Sequence, residues 1–317
     1  MSPGVMAVAL SYSFSIPSLL SFTMALVGEI EGMMSAIERI KEYAENVPQE
    51  ELDSHKAKYL DVSQIPPDWP TSGKIVLKDV EMRYRDGPLV LNKVSFEIGD
   101  KEKVGICGRT GSGKSTLLTS LYRFENLYSG VTYIDGIDIS KIPLSLLRKR
   151  LCIIPQEPIL FCSTLRFNLD PFDEHTDLRL WDVIETVGLK DMVQALPKQL
   201  LYEISEGGEN LSVGQRQMLC FGRALLRNPK IVFLDEATAA VDNVTDSHMQ
   251  NMIRTKLANC TILSIAHRLH TIIDSDRVIM LNNGVVCEND NPSVLIKNGG
   301  MFAELWKQYE QAHNKND

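Results

Sequence analysis

Gly108-Arg109-Thr110-Gly111-Ser112-Gly113-Lys114-Ser115 sets three glycines, a lysine and a serine in the spacing G-x-x-x-x-G-K-S. Glycines let backbone N–H groups turn inward around phosphate oxygens, and a helix starting at the loop adds the positive end of its dipole. Lys114 supplies a point charge for β and γ phosphates, Ser115 a hydroxyl for Mg²⁺, and Thr116 carries the run into the helix. A second segment, Ile231-Val232-Phe233-Leu234-Asp235-Glu236, reads as a buried strand that releases two carboxylates at its end. Open α/β sheets bind ligands at the carboxyl ends of their strands. Asp235 there suits Mg²⁺ through a water, and Glu236 can orient or deprotonate an attacking water. Together the two segments predict a Mg²⁺-dependent nucleoside triphosphatase.

The surrounding elements must place these groups. KVGIC (103–107) reads as a buried strand before the loop, and TLLTSLYRF as an apolar helix after it. KIVLKDVEMRYR and LVLNKVSFEI read as an antiparallel pair. VTYID, RLCIIP, KIVFLD and CTILSIA follow as short apolar strands, with helical patterns between several of them. In RVIMLNNGVVCEN, Asn283-Gly284 supplies a two-residue hairpin turn. Residues 158–228 read as mainly helical. The expected class is α/β, with a mostly parallel core sheet, an antiparallel β subdomain and a helical subdomain.

Residues 1–28 contain no Asp, Glu, Lys or Arg. The run is long enough for a bilayer, which needs about 20 apolar residues. The favoured reading is a membrane helix; a signal peptide or a buried hairpin are its rivals, and the flank lacks the basic n-region of a signal peptide. Over 29–45, Ile30, Met33, Met34, Ile37, Ile40 and Ala44 recur at helical steps, continuing the helix into polar surroundings. Pro48, Pro66, Pro67 and Pro70 mark residues 46–73 as a linker. The expected division is a membrane helix with its extension at 1–45, the linker, a nucleotide-binding domain at 74–310, and a polar, frayed tail at 311–317.

The 317 residues carry 33 Lys and Arg against 41 Asp and Glu, a net charge of −8 that argues against general nucleic-acid binding. With 44% hydrophobic and 23% charged residues, global disorder is excluded. A single long apolar stretch excludes a multi-span membrane chain. Six cysteines stand scattered, without a CxxC pair or a zinc-ligand spacing. They read as small buried hydrophobes in a reducing compartment.

Leu211-Ser212-Val213-Gly214-Gln215-Arg216-Gln217, followed by MLCFGRALLRNPKIVFLDEATAAVD, resembles the signature block of ATP-binding cassette (ABC) proteins. Ser212 and Gly214 precede an apolar helix and can present a hydroxyl and amides to an anion, and Ser212 serves equally as an ordinary helix N-cap. The resemblance implies that Ser212, Gly214 and Gln215 face a partner domain's nucleotide. It implies further that Tyr84 stacks on adenine, although its pattern alone fits a half-buried strand aromatic. Gln156 would be the Q-loop residue beside Mg²⁺ and the γ-phosphate. Asp242 would form the D-loop, and His267 would be the switch histidine on the γ-phosphate, acting with Glu236 and Lys114.

AIERIKEYAE, PPDWPTSGKIVLKDVEMRYRDG and IIPQEPILFCSTLRFNLDPF are similar to subfamily C, the multidrug-resistance-protein-like transporters. That resemblance implies the last transmembrane helix and the second nucleotide-binding domain of a membrane exporter, with the domain in the cytosol. ATP and Mg²⁺ would be its cofactors. A second cassette, transmembrane domains and the lipid bilayer would be its partners, and nucleic acid would not. Organic anions, conjugates or drugs would be the cargo. Val213 stands where the signature has glycine, which alters the face offered to a partner. The alternatives are a regulatory nucleotide switch, a soluble ABC ATPase acting on DNA or ribosomes, and a truncated fragment that binds ATP without transporting.

Overall fold

The computed structural model describes residues 2–47, 59–235, 243–265 and 269–313, in two compact units spanning 1–57 and 58–317.

Among the described residues the first unit is one helix, α1 (Pro3–Asn46), with no buried residue. At 1.5 Å per residue its 44 residues run about 66 Å, twice the hydrocarbon thickness of a bilayer. A buried hairpin over 1–28 is therefore not formed. Pro17 sits inside the helix without ending it. The hydroxyls of its uncharged part turn back on the backbone: Ser15 Oγ donates to the Ser11 carbonyl at 2.9 Å, and Thr23 Oγ1 to that of Leu19 at 2.7 Å. Such bonds hide polar groups where water is absent.

The second unit holds two sheets. Strands β1 (Ile75–Arg83), β2 (Leu89–Ile98), β4 (Ser129–Ile134) and β5 (Ile137–Asp138) form an antiparallel sheet in the order β2-β1-β4-β5. The core sheet contains β3 (Lys103–Cys107), β6 (Leu151–Ile154), β7 (Ile231–Asp235), β8 (Thr261–Ile265), β9 (Arg277–Asn282) and β10 (Val285–Asp290), ordered β10-β9-β3-β8-β7-β6. All its pairings are parallel except β9–β10, the hairpin closed by Asn283-Gly284. Its parallel strands are short unbroken apolar runs because both faces are covered.

Helix α2 (Lys114–Leu121) follows β3, and α3 (Leu144–Arg150) leads into β6. Between β6 and β7 stand α4 (Leu165–Leu169), α5 (Asp177–Thr186), α6 (Lys190–Ala195) and α7 (Val213–Arg227). They pack around Leu165, Ile184, Leu219 and Phe221, in an apolar cluster that continues onto one face of the core sheet through Ile154, Val232 and Ile262. α8 (Asn243–Lys256), α9 (Pro292–Asn298) and α10 (Met301–His313) complete the chain. α10 continues helically past residue 310, into the segment expected to fray.

One expectation gains detail and one needs correction. The linker is docked where it is described. Trp69 is buried, and its indole Nε1 donates to the Ile134 carbonyl at 3.1 Å. Asp135, in the β4–β5 turn, accepts backbone N–H bonds from Thr71, Ser72, Gly73 and Lys74 at 2.6–3.0 Å. The cysteines are not all buried: Cys107, Cys152, Cys220 and Cys260 are, whereas Cys162 and Cys287 are exposed. Cys162 stands in the irregular segment after β6 and Cys287 on the edge strand β10, where neither has a second layer to cover it.

Candidate active site

The loop Gly108–Gly113 joins the carboxyl end of β3 to the first residue of α2. Its conformation depends on glycine. Gly108, Gly111 and Gly113 have φ of 153°, 80° and 102°, in the region that disfavours a Cβ. A Cβ on Gly108 would lie 2.2 Å from the Leu281 carbonyl oxygen, whereas one on Gly111 meets nothing within 4 Å. Gly111 thus faces open space while Gly108 is wedged against β9.

Lys114 is buried at the start of α2, and its ammonium donates to the carbonyls of Gly108 (2.8 Å) and Arg109 (3.2 Å). The charge is folded back over the loop. Ser112 Oγ is buried inside the loop and finds no hydrogen-bond partner. A buried hydroxyl left unpaired costs about 1–3 kcal/mol, so this polar atom fits a cradle made for an anion. Ser115 is exposed on the first turn of α2 and Thr116 is buried. Tyr84, on the stretch after β1, donates its phenol to Thr116 Oγ1 at 3.2 Å. The structure therefore brings Tyr84 to the loop's helix across 32 residues, with the ring 42% exposed.

Asp235 is the last residue of β7, paired in register with Ile265 on β8. Gln156 is exposed just beyond β6. The phosphate loop, Gln156 and Asp235 thus all leave the carboxyl ends of parallel strands in one sheet. Glu236, Asp242 and His267 lie outside the described residues. Among the described residues no cluster of three or more His, Cys, Asp or Glu side chains could hold a metal. Ser115 and Asp235 suit Mg²⁺ as an ion that keeps several waters and takes its other oxygens from phosphate.

Ser212 is the N-cap of α7. Its Oγ accepts from Gln215 N at 3.2 Å, and Gln215 Oε1 accepts from Ser212 N at 2.9 Å, a reciprocal capping box. Val213 and Gly214 occupy the first turn, and Ser212 is exposed at the positive end of a 15-residue helix.

Three positioning contacts escaped the sequence reading. Gly284 donates its N–H to the Ser112 carbonyl at 3.1 Å and accepts from Asn92 N at 2.9 Å, pinning the β9–β10 turn between the loop and β2. Gln217, 1% exposed on α7, donates Nε2 to the Pro155 carbonyl at 3.0 Å, next to Gln156. Arg223, one and a half turns later, donates to the carbonyls of Ile159 (2.8 Å) and Asn168 (2.5 Å). Burial lowers its pKa, with Arg227 adding and Cys220 opposing, and the guanidinium also donates to Asn168 Oδ1 at 3.0 Å. The signature helix is thereby fastened to the chain that follows Gln156. At the foot of the loop, burial pushes the Cys107 thiol up to about 12, with Glu288 adding and Lys114 opposing. That thiol is a packing group.

A family model described as "ABC transporter" matches residues 91–239. The chain is similar to ATP-binding cassette sub-family C member 2 of Homo sapiens, 45% identical over 300 residues, covering 94% of this chain and 19% of the relative. Sub-family C member 4 of Mus musculus is 44% identical over 299 residues, covering 94% and 22%. Sub-family C member 3 of Rattus norvegicus is 42% identical over 308 residues, covering 97% and 20%. The chain thus spans about a fifth of the length of the curated relatives it matches. Among solved structures, that of a bacterial Atm1-family ABC exporter with ATP bound aligns with a TM-score of 0.77 and 29% identity, covering 88% of this chain and 47% of that one.

Proposed function

This chain belongs to the ATP-binding cassette transporter family, in its sub-family C, and on that premise we propose that it is the motor end of an exporter. In this reading it binds and hydrolyses ATP and couples the cycle to transport through membrane domains supplied with it. The observation that carries the reading is the phosphate loop: a glycine-built turn with a buried lysine folded over its carbonyls and a buried, unpaired serine hydroxyl.

On binding, Lys114 exchanges two carbonyl partners for phosphate oxygens, and the amides of the loop and of the first turn of α2 point at the same group. Tyr84 stacks on the base. Ser115 and Asp235 would hold Mg²⁺, with Gln156 beside it. When bound, the ion neutralises charge developing on the transferred phosphoryl group. Glu236 takes the proton of the attacking water as its oxygen bonds to the γ-phosphorus and the bond to the β-phosphate oxygen breaks. His267 contacts the γ-phosphate. Ser212, Gly214 and Gln215 meet the nucleotide of a second cassette, and Asp242 acts as the D-loop residue.

The charge-free part of α1 spans the bilayer and the cassette stands in the cytosol. Likeness to multidrug-resistance-protein-like exporters supports amphipathic organic anions, conjugates or drugs as cargo. The reading is tested on Lys114→Ala in the full chain, in detergent. Equilibrium binding of a fluorescent ATP analogue with Mg²⁺ is expected to weaken at least about 100-fold, because a charge-assisted contact to phosphate is lost. Unchanged affinity contradicts the assignment.

A further inference from the structure

A cavity of about 850 Å³ lies at the amino ends of β6 and β7, the opposite strand ends from the phosphate loop. Its volume is in the range of small-molecule sites, about 300–1,000 Å³. Five cations line it, Arg148, Lys149, Arg150, Arg227 and Lys230, on a chain whose net charge is −8. Two carboxylates, Asp68 and Glu174, share the wall.

Three of the cations are engaged. Arg148 donates to the carbonyls of Tyr122 (3.1 Å) and Arg123 (2.9 Å). Lys149 pairs with Glu174 at 2.9 Å. Arg150 donates to the Pro67 carbonyl, but its Nε is buried without a partner. Arg227 and Lys230 are exposed, and neither side chain has a hydrogen bond or ion pair among the described residues.

Helix ends account for part of this charge. α3 and α7 both finish here with basic last turns, and each carboxyl terminus carries roughly half a negative charge. Two such ends amount to about one negative charge, which leaves a surplus of about two positive charges after both carboxylates are counted. Pro70, Phe172 and Leu226 give the same cavity an apolar side.

We propose that this cavity is a second ligand site, for a small organic anion that carries a phosphate or sulfate group on an apolar body. The anionic group sits between Arg227 and Lys230, whose fork and point charge suit a tetrahedral oxyanion. The buried Nε–H of Arg150 offers a further donor. The apolar body lies against Phe172 and Leu226. Because the wall joins the docked linker to the end of α7, occupancy ties the linker to the signature helix.

The test is titration calorimetry with 1-naphthyl phosphate, and separately 1-naphthyl sulfate, on the full chain in detergent with excess MgADP on the phosphate loop. One ligand per chain is expected. The double change Arg227→Gln with Lys230→Gln is expected to weaken it at least tenfold. Both side chains are exposed, so the fold is retained, which a thermal melt checks. Arg227→Lys with Lys230→Arg is expected to restore binding. Tighter binding of the phosphate identifies a dianion site, and equal binding identifies a site for either ester; each supports the proposal. Absence of binding, or affinity unchanged in the double variant, overturns it. Loss of binding in Lys114→Ala also overturns it, since the ligand would then occupy the phosphate loop. Weak nucleotide binding by the wild-type chain, with normal naphthyl phosphate binding, counts instead against the motor reading alone.

Discussion

A single methyl group tests how the phosphate loop is held in place. Gly284 has φ of 74°, and a Cβ there would lie 2.1 Å from the Val90 carbonyl oxygen. Gly284→Ala must therefore shift the β9–β10 turn, which carries the hydrogen bond to the Ser112 carbonyl. Nucleotide affinity is expected to fall at least about tenfold, with a stability loss of about 1–3 kcal/mol from the strained turn. A melt without nucleotide and a binding titration separate the two effects; lower stability at unchanged affinity would show that the turn does not position the loop. The sequence displayed the loop itself, because eight consecutive residues encode it. Gly284 was visible only as a turn residue. Its second role depends on β2 and the loop, more than 170 residues earlier in the chain, and no local pattern carries that. Gln217 and Arg223 were hidden for a related reason. On an amphipathic helix they resemble a solvated face, and only the chain on either side of Gln156 covers them.

At the scale of elements, the strands were readable because parallel strands buried on both faces are short apolar runs. The docked linker was not, because its prolines signal only the absence of helix. What fixes it is the Asp135 carboxylate, gathering four consecutive amides and the Ser72 hydroxyl. Burial raises the pKa of Asp135, but the hydrogen bonds from Ser72, Gly73 and Lys74 together outweigh it and hold the carboxyl below its ordinary value. A depressed folded-state value means that the stabilisation is present above the unfolded pKa, about 4, and is lost as pH falls through the folded value. Asp135→Ala is expected to cost about 1–3 kcal/mol at pH 7. In urea melts the gap between variant and wild type should narrow below pH about 4. A gap independent of pH would mean that the side chain acts by packing alone.

The chain joins α1, which buries no residue, to a domain with one core shared by its two sheets and another shared by the core sheet and the helical segment. Its thiols report this organisation. Burial pushes Cys107 and Cys152 up to about 12 and raises Cys220 and Cys260, so none of these is a thiolate near neutral pH. In the native chain, Ellman's reagent is expected to titrate two thiols promptly, Cys162 and Cys287, and the other four only on unfolding. Prompt reaction of more than two would show that a core opens readily. The positions of those two exposed sulfurs, one on the chain after Gln156 and one on the hairpin that braces the phosphate loop, have a practical side. They form a native pair of anchoring points for spin labels or a donor–acceptor dye pair. Rearrangement of the helical segment against the hairpin could be followed by spectroscopy in the unmutated polypeptide, without engineering a single cysteine.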